Sequence, residues 1–113
     1  MALIRARFIA KLTIKIEEIT ASLPSLAGNG RTAVDAVAEV YRRLHDVGGI
    51  GANIGLSQSA QAARVLVEGV LLKPFRDKRG LTTEEVAKFK KGLDAFWTVA
   101  QVEMQTTDTN RSV

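Results

Sequence analysis

The sequence predicts an all-α protein built as an antiparallel, up-down bundle of four helices. Three observations predict it. Apolar residues recur every three or four positions along four separate stretches, the spacing of one buried helix face. No stretch shows the two-residue alternation of a half-buried strand. Three short connections separate the stretches, and short connections place neighbouring helices antiparallel.

The first stretch puts Ile4, Phe8, Leu12, Ile16, Ile19 and Leu23 on one face with charges between them. Pro24 and the Gly28-Asn29-Gly30 cluster end it. A second helix is expected from Thr32, a hydroxyl cap followed by Asp35 in the first turn. Val37, Val40, Leu44 and Val47 form its buried stripe, and it should turn near Asn53-Ile54-Gly55, where a left-handed residue caps the end. A third helix begins at Ser57 or Ser59 and carries Ala63, Leu66, Val67 and Val70 inward. It stops at Lys73, because the residue before Pro74 is pushed out of the helical region. The fourth start is the clearest. Thr82 and Glu85 form a capping box, Leu81 can staple onto Val86 across it, and Val86, Phe89, Leu93, Phe96, Ala100 and Met104 follow at helical spacing. Residues 105–113 are polar and aperiodic; they are expected to fray as a flexible tail behind a single domain of residues 1–104.

Composition bounds the chemistry. A chain of 113 residues buries roughly two-thirds of its unfolded surface, enough for a core without staples. It has no cysteine, which excludes a disulfide scaffold, a thiolate metal site and a thiol nucleophile. Aromatic residues are only 5%, too few for a stacking platform under nucleic acid. The net charge of +4 is mild, and the basic runs at 73–79 and 88–91 read as a solvated loop and a solvated helix face. Arg5, Arg7, Lys11 and Lys15 interrupt the apolar run that a secretory signal needs, and no run approaches a membrane span. The expectation is a cytoplasmic protein without a nucleic-acid or membrane partner.

The sequence departs from good helix grammar in one place, Leu44-His45-Asp46-Val47-Gly48-Gly49-Ile50-Gly51-Ala52-Asn53-Ile54-Gly55-Leu56. Gly48 and Gly49 fall where the second helix is still running, each at a cost of about 1 kcal/mol relative to alanine. The only histidine, His45, stands one turn before Gly49. At roughly 100° per residue it lies at the border between the Leu44 face and solvent. Tyr41 and Arg42 are one turn behind it, Gly48 and Gly49 one turn ahead. A metal site is disfavoured, since one histidine without cysteine leaves only carboxylates and no Glu-x-x-His spacing occurs. A serine triad lacks its strained nucleophile turn. The glycines resemble a loosened dinucleotide fingerprint, but that motif requires a preceding strand. What remains is histidine as a direct nucleophile for phosphoryl transfer, set against an ordinary surface histidine at a helix border. An imidazole titrates close to neutral pH, so its lone pair attacks without a separate base. Small neighbours clear the approach, and a cation such as Arg42 offsets developing charge.

The segment resembles the signature of histidine-containing phosphotransfer (HPt) domains, roughly H-x-L-K-G-S-A-x-x-x-G. His45, Val47, Gly49 and Gly55 fall at the matching spacings, and Ala52, Asn53 and Leu56 also suit the family. The resemblance is most specific over the second and third helices, and the opening helix around Arg7-Phe8-Ile9-Ala10-Lys11-Leu12 is also similar. It implies a four-helix bundle in which His45 accepts a phosphoryl group from a response-regulator receiver domain and passes it to another. It implies no kinase activity and no cofactor or metal of the chain's own. The partners it implies are receiver domains and a hybrid sensor histidine kinase, around a monomeric carrier. Gly48 and Gly49 become the clearance for the docking partner. The family usually has lysine where this chain has Gly48 and a small polar residue where it has Ile50. A lost charge-assisted contact of this kind is worth roughly 1.5–3 kcal/mol. Arg42 is the expected substitute, with Arg43 and Arg64 as weaker candidates. Two other readings compete: a non-catalytic helical module that docks or sequesters receivers, and nucleic-acid binding through residues 73–79.

Overall fold

The computed structural model describes the backbone of residues 2–28 and 30–111 and the side chains of residues 6–28 and 30–104. Helix α1 spans Ala2–Ser22 and passes into one 3-10 turn, Leu23–Leu26, with Pro24 in its first positions. Helix α2 spans Arg31–Asn53. Helix α3 (Ser57–Leu66) continues through a π-helical turn (Val67–Leu71) into α4 (Leu72–Asp77), so these three segments form one rod. Helix α5, Thr83–Arg111, has 29 residues. At 1.5 Å per residue it is about 43 Å long, most of the 51 Å length of a molecule 21 Å across. The protein is all-α, with four helical rods and no strand among the described residues.

The rods pack in a ring. α2 lies against α1 and α3, α3 against α5, and α5 against α1. The periodic stripes face inward as the spacing predicts: Phe8, Leu12, Ile16, Ile19 and Leu23 of the first rod, Val37, Val40, Leu44 and Val47 of the second, and Phe89, Leu93, Phe96, Ala100 and Met104 of the last are all buried. Each large apolar side chain so buried contributes about 1.5–3 kcal/mol before chain entropy is subtracted. Ile4 lies outside the described side chains. No helix among the described residues is long and apolar enough to cross a membrane.

Local chemistry explains the ends. Gly55 adopts φ +87° and the Leu56 N–H donates to the Gly51 carbonyl at 2.9 Å, the six-to-one bond of a Schellman end. The Thr82–Glu85 capping box is formed in both directions: the Glu85 N–H donates to Thr82 Oγ1 at 3.1 Å and the Thr82 N–H to Glu85 Oε1 at 2.9 Å. An isolated parallel bridge joins Ala27 and Leu81, tying the first loop to the last. A Cβ on Gly80 there would overlap the Gly28 carbonyl oxygen, so only glycine fits.

Three expectations are corrected. Thr32 is not the cap of α2; the helix starts at Arg31, Gly30 stands at the cap two residues before Thr32, and its carbonyl accepts from the Ala33 and Val34 N–H groups. Pro74 does not end the third helix. The ladder widens in the π turn, where the Leu72 N–H donates to the Val67 carbonyl, and Pro74 then falls in the first turn of α4, where a missing N–H is tolerated. The rod ends only at Lys78, in the left-handed region at φ 53° and ψ 50°. Residues 73–79 are therefore mostly helix rather than loop. Beyond Met104 the backbone remains helical to Arg111 instead of fraying at Gln105, while Ser112 and Val113 lie outside the described residues.

Candidate functional site

His45 sits on α2 one residue past the buried Leu44, exposed, and among the described residues nothing hydrogen-bonds its ring nitrogens. Its ring plane is set by an aromatic stack. Tyr41, one turn earlier, lies 4° from parallel with it at a centroid distance of 6.0 Å, an offset arrangement. Phe75 of α4 also stacks on Tyr41, at 4.1 Å and 3°. The continuation of the helix past Pro74 places Phe75 there, so the proline and the π turn contribute to orienting the imidazole.

Beside this stack is a cleft of about 390 Å³ between α2 and the α3–α4 rod. Leu44, Val67 and Leu72 supply apolar wall, while His45, Arg64, Glu68 and Arg76 bring polar groups to it, with Gly49 at its edge. The cleft therefore joins an exposed imidazole to two guanidinium side chains and one carboxylate. Neither Arg64 nor Arg76 has an ion-pair partner among the described residues, Glu68 included.

The two candidate glycines differ. A Cβ on Gly48, which is buried, would lie 3.4 Å from Arg64 Cγ and 3.7 Å from Arg64 Nε, in van der Waals contact with the arginine stem. A Cβ on Gly49 would meet nothing within 4 Å. A Cβ on Gly51 would lie 3.5 Å from Ala60 Cβ, where α2 packs on α3. Gly48 and Gly51 thus face α3, and Gly49 faces no neighbour.

Arg42, the expected cation, is not brought to the cleft. Its side chain is 67% exposed and 3.6 Å from Glu39. Arg43 turns toward α1 and forms ion pairs with Glu18 and Glu39, which raise its pKa. Arg64 is the one of the three that shares the cleft with His45. Sequence reading missed Phe75, Glu68 and Arg76. Glu68 stands four residues after Arg64, at helical spacing, whereas Arg76, twelve residues after it, is about a third of a turn off an α-helical face, and a helix stopped at Lys73 excludes Arg76 and Phe75. Among the described residues no three His, Asp or Glu side chains converge on a metal position. The chain matches no protein-family profile, no curated protein and no solved structure.

Proposed function

We propose that this protein is a phosphoryl carrier of a two-component phosphorelay, with His45 receiving the phosphoryl group from the aspartyl phosphate of one receiver domain and handing it to another. One observation carries the reading: an imidazole whose nitrogens have no hydrogen-bond partner among the described residues, parallel to the Tyr41 ring, stands one turn from a helical glycine that faces open space. Gly49 costs about 1 kcal/mol relative to alanine and relieves no contact inside the chain. Its benefit lies in what approaches from outside, a partner surface that must bring its own phosphoaspartate to the ring. The HPt-like spacing from His45 to Gly55 supports the same reading.

In the step itself, the lone pair of the unprotonated ring nitrogen attacks phosphorus and forms the N–P bond. The P–O bond to the receiver's aspartate breaks, and its electron pair leaves on the carboxylate. The other ring nitrogen keeps its proton, so charge balances without a separate base. The carrier needs no nucleotide site, since a hybrid sensor kinase makes the phosphoryl group upstream, and Mg²⁺ belongs to the receiver's acidic pocket. The reading takes the ring of rods as an antiparallel up-down bundle acting as a cytoplasmic monomer.

Transfer from a phosphorylated receiver domain is the direct test. Wild type should take up the label. Gly49→Leu, which gains helix propensity and fills the clearance, should be slowed by about tenfold or more, the equivalent of about 1.4 kcal/mol of docking. Transfer to Gly49→Leu at the wild-type rate would remove the clearance role. Gly48 in place of the family lysine favours a second reading, a docking or sequestering module with His45 unphosphorylated; stable receiver binding with no label on wild type is its signature.

A further inference from the structure

The carrier's chemistry lacks a cation on α2. A phosphoryl group on a ring nitrogen brings two negative charges to the surface, and the two positions one turn ahead of His45 are glycines, Gly48 and Gly49. Arg42 and Arg43 are turned toward Glu39 and Glu18. The cleft beside His45 nevertheless contains arginine from the neighbouring helix.

We infer that Arg64 of α3, reaching across Gly48, is the residue that binds the phosphoryl group on His45. The inference rests on the carrier reading and deepens it. Three observations converge. Arg64 lines the same cleft as His45. Its Cγ and Nε occupy the space that a side chain at position 48 would enter, at 3.4 and 3.7 Å from the position of its Cβ. Its guanidinium has no ion-pair partner among the described residues, so its donors are available to a new anion.

Position 48 and position 64 therefore form one unit. A lysine at 48 and an arginine at 64 compete for the same volume over α2, and this chain uses the arginine. Arg64 passes over Gly48 at van der Waals distance from a Cβ placed there, so a longer side chain at 48 would meet its stem. The planar guanidinium presents paired N–H donors at the spacing of two phosphoryl oxygens, where an ammonium offers a point charge. Arg76, on α4 and also unpaired, adds a second positive charge to the cleft wall, and Glu68 on the same wall limits the net charge there. The ligand class is a tetrahedral phosphoryl dianion attached to, or arriving at, the imidazole.

The test uses the full chain and potassium phosphoramidate, a small donor that needs no partner. The imidazole lone pair attacks its phosphorus, the P–N bond breaks, and ammonia leaves with the electron pair and the proton already on that nitrogen. Labelling rate and phosphohistidine half-life at neutral pH are followed by intact mass for wild type, Arg64→Ala, Arg64→Lys and the exchange variant Gly48→Lys/Arg64→Ala. Loss of one charge-assisted contact predicts that Arg64→Ala is labelled about ten- to a hundredfold more slowly. The effect should exceed that of Arg42→Ala, with thermal midpoint and helical content held. Arg64→Lys or the exchange variant should recover most of the rate, because either returns a cation to the same space. Labelling of Arg64→Ala at the wild-type rate, or equal slowing of all three variants, overturns the inference and leaves the carrier reading standing. Absence of label on folded wild type overturns both.

Discussion

At the scale of single residues, Glu85 holds the last connection together. Its carboxylate accepts two bonds from the Arg79 guanidinium, at 2.7 and 3.1 Å, and a third from the Thr82 N–H at 2.9 Å. The Arg79 bond above all, and the Thr82 N–H after it, hold its pKa down to about 2 from the ordinary 4.5. A depressed folded-state pKa gives stability that is complete above the ordinary value and is lost as pH falls through the depressed one. The stabilisation by Glu85 should therefore be constant from neutral pH down to 4.5 and disappear toward pH 2. Urea unfolding of wild type and Glu85→Gln measures it: the gap between them should close across that window. A gap of the same size near pH 2 and at neutrality would contradict the assignment.

At the scale of elements, caps within a few residues were legible and partnerships between helices were not. Gly55 and the Thr82–Glu85 box act on their own turn, so residue type and spacing name them. The start of α3 is different. No side chain of its own caps it; the Glu103 carboxylate of α5 accepts from the Gln58 N–H at 3.0 Å and from the Ser59 N–H and hydroxyl at 2.8 and 2.7 Å. Those partners are 44 and 45 residues apart, and only the packing of α5 on α3 joins them. Glu103→Ala should destabilise the protein by about 1–2 kcal/mol, the range for losing a helix cap. An unchanged urea midpoint would show that the cap contributes nothing. Pro74 was misread for a related reason: a proline predicts a break only if the ladder before it is α-helical, and the π turn changes that ladder. Arg76, which lines the cleft, and Phe75, which stacks on Tyr41, were lost with it. Thr32 was taken for a cap by residue type, although Gly30, in extended conformation before the first helical residue, holds that place.

At the scale of the whole molecule, α1 and α5 complete the ring of rods, while α2 and the α3–α4 rod carry the cleft. His45 and Gly49 stood out as a break in helix grammar because both lie on one helix within a single turn. Which arginine enters the cleft was not legible, since among Arg42, Arg43 and Arg64 that depends on which acidic side chains face each one and on the register of α2 against α3. That register puts Arg64 over Gly48. The same view accounts for the cost of Gly49: filling it should add stability, because helix propensity is gained and a Cβ there meets no neighbour within 4 Å. Gly49→Leu should thus unfold at higher urea concentration while transferring more slowly, and a variant both less stable and slower would point to a packing role instead.

The central claim is that His45 carries phosphate, and the most direct measurement is intact mass of wild type and His45→Ala after incubation with a phosphorylated receiver domain. The account predicts one added phosphoryl group on wild type, stable at neutral pH and released by acid as expected of a P–N bond, and none on His45→Ala. An acid-stable phosphoryl group, or the same label on His45→Ala, would contradict it.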